Sequence, residues 1–542
     1  NPLAILGKFF ELMIHGGKEE ESSGGDDTKD TASQETTKAI EDKAEKVGFE
    51  TIIRCLASSP EKDIAKLHMT SILNAFSQYG SPGINSLGKQ KFHSKRKLIR
   101  DFLFREFRTP LFKAPMILST EELASMFHFP HIKYNNIPGL KWQNYKIEKA
   151  PSNVPKEGLL LGHNIYRNKK TPIYMKREDR FRHFYVIGQT GTGKSSIFQT
   201  MIRQDLDNGD GLCVIDPHGS LVEDILPFVP KSRIDDVIIF NPADTERPLG
   251  LNLLEADGEE ERDMVALDAM NIMIKMFDEE TFGPRIQDYF RNGCLTLMAD
   301  PIGGCITDIV RLFTDDGFQK AKVKHVSNPV VKAFWTKQMA QTGQREKQEM
   351  IPYFSAKFGA FISNSMMRNI IGQTKSAFDI NTVMDEKKIL FMNLSKGNTG
   401  EINSKLLGLI IVSKLQTAAL RRQKMAKEDR QDFFLYIDEF QNYVTDSIES
   451  ILSEARKYRL SLNIAHQYIS QIDNSGQKKG TNLKDAVFGN VGTMMCYKIG
   501  APDAESMIKQ MAPDFSDHDL INIDKYIISL YLMYYSNHNL TY

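Results

Sequence analysis

A glycine-rich loop between an apolar run and a helical pattern carries the clearest chemistry in this sequence. Residues 188–195, GQTGTGKS, match the pattern G-x-x-x-x-G-K-[ST], which binds nucleotide phosphates. The glycines allow backbone N–H groups to turn toward a β-phosphate, Lys194 can reach the β- and γ-phosphate oxygens, and Ser195 can ligate Mg²⁺. We therefore predict an ATP or GTP site, formed by Gly188, Gln189, Thr190, Gly191, Thr192, Gly193, Lys194, Ser195 and Ser196.

An acidic pair at the end of a second apolar run would complete such a site. In FFLYIDEF, residues 433–440, Asp438 is placed to hold the Mg²⁺ shell and Glu439 to polarise a water for in-line attack. An apolar run followed by Asp-Glu is weak evidence alone, but the phosphate-binding loop upstream makes it strong. The adjacent acid favours motor-type ATPases over kinases that act on small metabolites.

A third apolar run ends in a polar residue. Residues 460–472, LSLNIAHQYISQI, predict a short strand that ends at His466 and Gln467. A polar side chain there would lie beside the γ-phosphate and could report its presence to the rest of the protein. The alternative for Gln467 is an ordinary solvated strand end.

The spacing of apolar residues predicts the elements that position these groups. From residue 159 onward, strands and helices alternate, which is typical of βαβ units and a mainly parallel sheet with active residues at the strand carboxyl ends. Between residues 259 and 369, apolar residues recur at helical spacing, so we expect a mostly helical insertion. The individual predictions are strands at 184–187, 211–215, 237–240, 388–394 and 433–437, and helices at 195–208 and 449–458.

The remaining boundaries follow from composition. Residues 1–47 form a polar linker, residues 48–150 a small α+β domain, residues 151–258 and 370–542 the motor, and residues 259–369 the helical insertion. In the N-terminal domain we expect a strand at 49–57 and helices at 64–76 and 121–127, the last one behind a capping sequence.

A basic stretch in the N-terminal domain permits two interpretations. Residues 89–108 contain eight Lys and Arg side chains among four phenylalanines. Basic residues interleaved with aromatics can grip a phosphate backbone and stack bases. We favour the simpler interpretation, a charged helix face over a phenylalanine core.

Overall composition excludes several classes of protein. Lys+Arg and Asp+Glu both total 69, so net charge gives no reason to expect nucleic acid, although local patches can differ. The five cysteines lack C-x-x-C spacing and fit reduced core thiols in a cytoplasmic protein. No run of 18 apolar residues exists. Because residue 1 is Asn, we expect a longer product, in which a preceding segment could anchor the chain at the cytoplasmic face of a membrane.

Four motifs together resemble a known superfamily. The loop GQTGTGKS, the strand YIDEF, the helix carrying Ala455, Arg456 and Lys457, and the strand ending at Gln467 are similar to the HerA/FtsK superfamily of hexameric DNA pumps. The likeness is greatest to the coupling ATPases of type IV secretion and conjugation. It spans about residues 155–525 and implies a RecA-like α/β P-loop fold. Further family-like strings are DPHGSL (216–221), FNPAD (240–244), NLSKG (393–397) and FGNVGTMMCYKIG (488–500).

The resemblance also implies roles. Lys194 and Ser195 would bind the phosphates and Mg²⁺ of ATP, Asp438 would hold the metal, and Glu439 would be the catalytic base. Gln467 would sense the γ-phosphate, and Arg456 would be an arginine finger acting on the neighbouring subunit, a group worth roughly 10³–10⁵ in rate elsewhere. The alternative for Arg456 is a solvated helix face. The implied partners are DNA, further copies of the chain in a homo-hexamer, and a relaxase or secretion-channel proteins.

Two further regions carry separate expectations. The helical insertion resembles the all-α domain of coupling proteins, and Arg285 and Arg291 would contact a neighbour or phosphate there, with ordinary salt bridges as the alternative. Residues 526–542 begin like a final strand and then depart from the family pattern, which a truncated or frameshifted end would explain.

Three functions therefore compete. The leading hypothesis is an ATP-driven hexameric DNA translocase that acts as the coupling ATPase of a conjugation or type IV secretion system. The second is a HerA-like DNA pump in repair or defence. The third is a docking adaptor that binds ATP structurally and recruits secreted substrates.

Overall fold

The computed structural model describes ten stretches of the chain and divides it into two compact units, Asn1–Trp142 and Gln143–Tyr542. Each unit is described by itself below. The described residues are 37–80, 86–88, 94–107, 116–127, 143–256, 258–277, 279–444, 446–473, 483–533 and 539–541.

The first unit contains a two-stranded antiparallel ribbon with helices. Strand β1 (Gly48–Thr51) pairs with β2 (Met116–Ser119), Gly48 standing opposite Ser119. The strand expected at 49–57 is shorter than predicted: it ends at Thr51, which stands opposite Met116, the first residue of β2. At the other end of the ribbon, Ser119 caps the next helix through a capping box with Glu122. The helices are α1 (Lys62–Ala75), α2 (Lys95–Leu103) and α3 (Thr120–Met126), and residues 37–44 within the predicted linker are also helical.

The basic stretch of this unit does not cover a phenylalanine core. Phe102, Phe104 and Phe107 are exposed, and helix α2 has no buried residue. The favoured interpretation of residues 89–108 was therefore wrong for the part that is described, 94–107. Basic residues interleaved with phenylalanines do not show whether anything packs against the aromatic rings.

The second unit is built on a large twisted sheet. A small antiparallel ribbon, β3 (Leu159–Tyr166) with β4 (Lys169–Met175), precedes it. Within the described residues the main sheet has nine strands in the order β13-β12-β11-β5-β10-β9-β6-β8-β7, and the seven from β11 to β7 run parallel. These strands are β5 (Phe184–Ile187), β6 (Gly211–Asp216), β7 (Val237–Phe240), β8 (Ile389–Asn393), β9 (Phe433–Ile437), β10 (Leu460–His466), β11 (Thr493–Cys496), β12 (Ser529–Met533) and β13 (Asn539–Thr541).

The central strands read as continuous apolar runs because both of their faces are covered. Along β6, Leu212 and Val214 pack into one core, while Cys213 and Ile215 pack into the other. Successive side chains of a strand point to opposite faces, so an uninterrupted apolar sequence is what a doubly covered parallel strand requires. The predicted mainly parallel α/β fold is confirmed.

The helices lie around this sheet, and residues 259–371 are predominantly helical within their described part. The core of that helical region is continuous with the core on one face of the sheet and contains stacked aromatic rings such as Tyr289 against Phe313 and Phe290 against Phe358. The helices are α4 (Lys194–Asp207), α5 (Ser220–Ile225), α6 (Glu259–Phe277), α7 (Pro284–Met298), α8 (Asp308–Thr314), α9 (Asp316–Val323), α10 (Pro329–Ala333), α11 (Met339–Gln341), α12 (Gln344–Ile362), α13 (Ser365–Ile371), α14 (Ile380–Asp385), α15 (Lys396–Thr399), α16 (Glu401–Arg421), α17 (Asp446–Glu454), α18 (Ser470–Asp473), α19 (Leu483–Asn490), α20 (Ala501–Met511) and α21 (Asp517–Asn522).

Two sequence expectations need adjustment at the ends of elements. The helix predicted at 449–458 consists of α17 and a separate 3₁₀ turn, Ala455–Tyr458. The C-terminal strand predicted near residue 526 is β12, which pairs antiparallel with β11. No helix among the described residues is both long and apolar enough to cross a lipid bilayer.

Candidate nucleotide-binding site

Sheet topology brings the predicted site residues to one edge. Strand β10 lies between β5 and β9 and is parallel to both. His466, the last residue of β10, stands opposite Ile187, the last residue of β5. The residues that follow these strand ends are Gly188, Gln467 and Asp438. Because the carboxyl ends of parallel strands meet at one edge of a sheet, the loop, the polar residue and the acidic pair become neighbours.

The backbone of the glycine-rich loop needs its glycines. Gly191 and Gly193 have φ angles of 75° and 124°, which side-chain-bearing residues rarely adopt. A Cβ on Gly193 would also lie 2.9 Å from Cε1 of Tyr497 and 3.1 Å from Cδ1 of Tyr526. Helix α4 starts immediately after this turn, at Lys194. The loop therefore presents backbone N–H groups at the positive end of a 14-residue helix, an arrangement that favours anions.

The ammonium of Lys194 is held within the loop. Its Nζ donates to the carbonyl oxygens of Gly188 at 2.7 Å and Gln189 at 3.3 Å. The residue is buried, and burial lowers the pKa of the amine, against the opposing influence of the nearby Glu439 and Asp438 carboxylates. A desolvated ammonium held at the centre of the loop is placed to bind phosphate oxygens. The hydroxyl-bearing Ser195 and Ser196 lie exposed in the first turn of α4.

The acidic pair is buried at the end of β9. Asp438 donates its N–H to the carbonyl of Ile215 on β6 at 3.1 Å and accepts the N–H of Glu439 at 2.9 Å through Oδ1. Burial, followed by the charges of Glu439 and Asp216, raises the pKa of the Asp438 carboxyl to about 6. The two neighbouring carboxylates therefore oppose ionisation of Asp438, and a cation bound beside Asp438 would favour its ionised form.

Glu439 has an unusual backbone and two side-chain partners. Its φ of 49° and ψ of 50° are left-handed, which is uncommon for a residue other than glycine and is typical of functional sites. Gln467 Nε2 donates to its Oε1 at 2.8 Å, and Gln441 Nε2 donates to its Oε2 at 2.7 Å. Thr190 of the loop donates to Oε1 of Gln467 at 3.1 Å. A hydrogen-bonded chain thus connects the phosphate-binding loop with the predicted base.

Two residues of this site had no assigned role in the sequence reasoning. Asp216 ends β6, is fully buried, and accepts the backbone N–H groups of His218 at 2.8 Å and Leu221 at 2.7 Å. Asp216 follows an apolar run just as Asp438 does, and this pattern could have identified it as a site residue from the sequence. Gln441 lies in the 3₁₀ turn after β9, where no periodic pattern marks it.

Arg456 lies away from this cluster in its own chain. It is exposed in the 3₁₀ turn that precedes β10. Buried His183, which precedes β5, has a pKa lowered to about 4 by burial and, to a smaller extent, by the charge of Arg456. Arg456 therefore lies at the amino edge of the sheet. The seven residues of β10 separate that edge from Gln467 by roughly 23 Å.

The two arginines of the helical region form ion pairs. Arg285 pairs with Glu346, and Nη2 of Arg291 lies 3.2 Å from Oδ1 of Asp263. All four side chains are largely exposed, so these pairs contribute little to stability. Of the two interpretations of these arginines, the described contacts support ordinary salt bridges.

A family model describes most of this chain. The model for type IV secretory system conjugative DNA transfer matches residues 141–512, well over half of the sequence. The chain belongs to this family. The conjugative DNA transfer region includes every residue of the site described above. A second model, a domain of unknown function named DUF8128, matches residues 14–142. Comparison with proteins of curated function gave no match.

Comparison with solved structures gave matches that include a conjugative coupling protein and VirB4. The conjugative coupling protein TrwB lacking its N-terminal segment is 16% identical, with 68% of this chain and 86% of that chain covered at a TM-score of 0.49. TrwB in complex with ADP and Mg²⁺ is 17% identical, with the same coverage and TM-score. VirB4 of Thermoanaerobacter pseudethanolicus is 15% identical, with 71% and 96% covered at a TM-score of 0.48. Likeness at this level does not extend to residue roles.

Proposed function

We propose that this protein is an ATP-hydrolysing DNA translocase that acts as the coupling ATPase of a conjugation or type IV secretion system. The observation that carries the proposal is the convergence of Lys194, Asp438, Glu439 and Gln467 at one edge of the sheet. Membership of the conjugative DNA transfer family supports the choice of system over a repair or defence pump.

The residues of the site fit ATP with Mg²⁺. The left-handed glycines leave room beside Gly191, where a Cβ would meet no atom within 4 Å. Within the described residues no group of three or more His, Cys, Asp or Glu side chains forms a metal cage. Mg²⁺ does not need one, because it usually takes one or two protein ligands and completes its shell with substrate phosphates and water. Ser195 and Asp438 would hold it here.

Each residue then has a defined task. Bound MgATP supplies the phosphoanhydride bond that is hydrolysed. Lys194 binds the phosphate oxygens and offsets their charge. Glu439 orients a water and accepts its proton at Oε1 or Oε2, and Gln441 fixes the carboxylate plane by its bond to Oε2. Gln467, bonded to both Thr190 and Glu439, can transmit a change at the loop to the base and then along β10.

Arg456 would act on a neighbouring subunit. Its position at the opposite edge of the sheet prevents it from reaching the site of its own chain, and an exposed arginine there is suited to a subunit interface. A closed homo-hexameric ring would bring this edge against the next site. We further propose that DNA passes through the ring, that a relaxase and channel proteins are its partners, and that it works at the cytoplasmic face of the membrane.

DNA-stimulated ATP hydrolysis tests this function. The purified protein should hydrolyse ATP faster when DNA is added, and Glu439→Gln should abolish hydrolysis while ATP binding remains. Glu428→Gln, a change at an exposed glutamate outside the site, is the matched control and should behave as wild type. Hydrolysis that does not respond to DNA would contradict the translocase. Normal recruitment of substrates by Glu439→Gln would instead support an adaptor that binds ATP structurally.

A further inference from the structure

Helix α2 and the turn after it combine exposed apolar side chains with exposed basic side chains. We call this surface the basic–apolar patch. The apolar members expose between 43% and 72% of their surface and are Ile99 (47%), Phe102 (43%), Leu103 (68%), Phe104 (72%) and Phe107 (54%). The basic members are Lys95, Arg96, Lys97, Arg100 and Arg105.

The orientation of α2 is fixed by its other side. Leu98 and Asp101, one turn apart, are the half-buried positions of the helix. Arg54 donates to the backbone carbonyls of Asp101 at 3.2 Å and Glu106 at 2.6 Å, which attaches the end of the helix and the following turn to the rest of the unit. Ile99 and Leu103 are four residues apart and so share one face. That face is consequently directed away from the unit that holds the helix.

Charge and side-chain type together identify the occupant of this patch. Residues 94–107 carry five basic and two acidic side chains, a net charge of +3. Two copies of such a patch would repel each other, which argues against a self-association surface. Single-stranded nucleic acid would use aromatic rings for stacking, but the aliphatic Ile99 and Leu103 offer no stacking surface. A lipid interface accepts aliphatic and aromatic side chains alike and adds phosphate groups that the interleaved lysines and arginines can bind.

We propose that the basic–apolar patch is a peripheral membrane contact that binds anionic phospholipids. Ile99, Phe102 and Leu103 enter the boundary between headgroups and acyl chains, and the lysines and arginines of α2 lie against the lipid phosphates. This assigns a binding role to the N-terminal unit and does not depend on ATP hydrolysis by the second unit.

Vesicle cosedimentation of the full chain tests the proposal. Wild type should bind vesicles of phosphatidylcholine mixed with phosphatidylglycerol, but not vesicles of phosphatidylcholine alone. Ile99→Ser with Leu103→Ser removes apolar insertion, and Lys95→Glu with Lys97→Glu reverses two charges of the patch. The charge reversal should weaken binding at least about tenfold, since one basic residue near an anionic surface contributes roughly fivefold. The serine pair should also weaken binding at least about tenfold, since burial of one such aliphatic side chain contributes about tenfold or more.

Control substitutions in the second unit and a DNA-binding measurement accompany the vesicle experiment. Ile302→Ser with Val330→Ser alters two exposed aliphatic residues of the second unit and should leave vesicle binding unchanged. Far-ultraviolet circular dichroism establishes that every variant is folded. The proposal fails if the wild-type protein does not bind anionic vesicles or binds neutral vesicles equally well. It also fails if both α2 double variants bind anionic vesicles as well as wild type does. It also fails if the charge reversal abolishes binding of a single-stranded oligonucleotide and vesicles do not bind at all.

Discussion

A buried ion pair behind the nucleotide site should be essential for stability. Arg180 and Asp205 are both buried, and the guanidinium donates to the two carboxylate oxygens at 2.6 and 2.8 Å. Asp205 also accepts the hydroxyl of Tyr436, and Arg180 lies 3.5 Å above the ring of Phe434. Asp205 belongs to α4, the helix of the phosphate-binding loop, while Tyr436 and Phe434 belong to β9, the strand of the acidic pair. The cluster therefore connects the two halves of the site.

Asp205→Ala should reduce the free energy of unfolding by about 3–5 kcal/mol. The change leaves the Arg180 charge buried without its hydrogen-bonded carboxylate, and breaking a buried pair by removal of one partner has a cost of that order. Urea denaturation followed by circular dichroism, extrapolated to zero urea, measures it. Asp207→Ala, on the exposed side of the same helix, is the matched control and should change stability by no more than about 0.5 kcal/mol.

A double variant separates the charge effect from lost packing. Arg180→Met with Asp205→Leu removes both charges and keeps most of the volume, so it should recover most of the loss. If Asp205→Ala costs no more than Asp207→Ala, the pair is not a support of the fold. If the double variant is less stable than Asp205→Ala, the cost does not come from an uncompensated charge, and the reasoning is refuted.

Three further predictions concern the site itself. The pKa of Asp438 is raised to about 6 in the folded protein. The ionised carboxylate therefore destabilises the nucleotide-free protein above about pH 6, and this destabilisation disappears as the pH falls toward 4. Asp438→Asn should therefore stabilise the nucleotide-free protein by about 2–3 kcal/mol at pH 7 in urea titrations, with no gain at pH 4, and should abolish hydrolysis. Gln467→Ala should lower kcat at least about tenfold with little change in ATP affinity measured by calorimetry, because it breaks the link to Glu439 while Lys194 remains; a pure loss of affinity would contradict this. Arg456→Ala should be inactive alone and partly rescued by mixing with Lys194→Ala subunits, whereas Lys457→Ala should resemble wild type; no rescue in mixed rings would exclude a role in trans.

Local sequence was sufficient for the elements with strong patterns. The apolar runs at 184–187, 237–240 and 433–437 became strands with the expected bounds, because buried parallel strands require uninterrupted apolar sequence. The loop at 188–195 required particular residue types, so it could be located from them alone. The strand at 49–57 failed for a non-local reason. Its length is set by a partner at 116–119, which no pattern within the strand itself reveals.

The hydrogen-bonded chain of the site could not be foreseen. Gln441 contacts Glu439 only because the turn after β9 takes a left-handed backbone at Glu439, and neither residue type nor spacing predicts that conformation. Likewise, Gln467 could be placed at a strand end, but its simultaneous bonds to Thr190 and Glu439 depend on β10 lying between β5 and β9. Strand order is a property of the whole sheet, which the one-dimensional pattern leaves open.

The same strand connects the edge of the sheet at Arg456 with the edge at Gln467. Strand β10 begins two residues after the end of the turn that carries Arg456 and ends one residue before Gln467. The strand is buried along its whole length, and close packing transmits strain, so we expect a displacement at Gln467 to move the strand as a unit. A change at the phosphate-binding loop of one subunit could then shift the arginine that this subunit offers to the next. If the ring operates as proposed, Leu462→Ala in the middle of β10 should weaken the coupling between neighbouring sites more than it weakens ATP binding at either one.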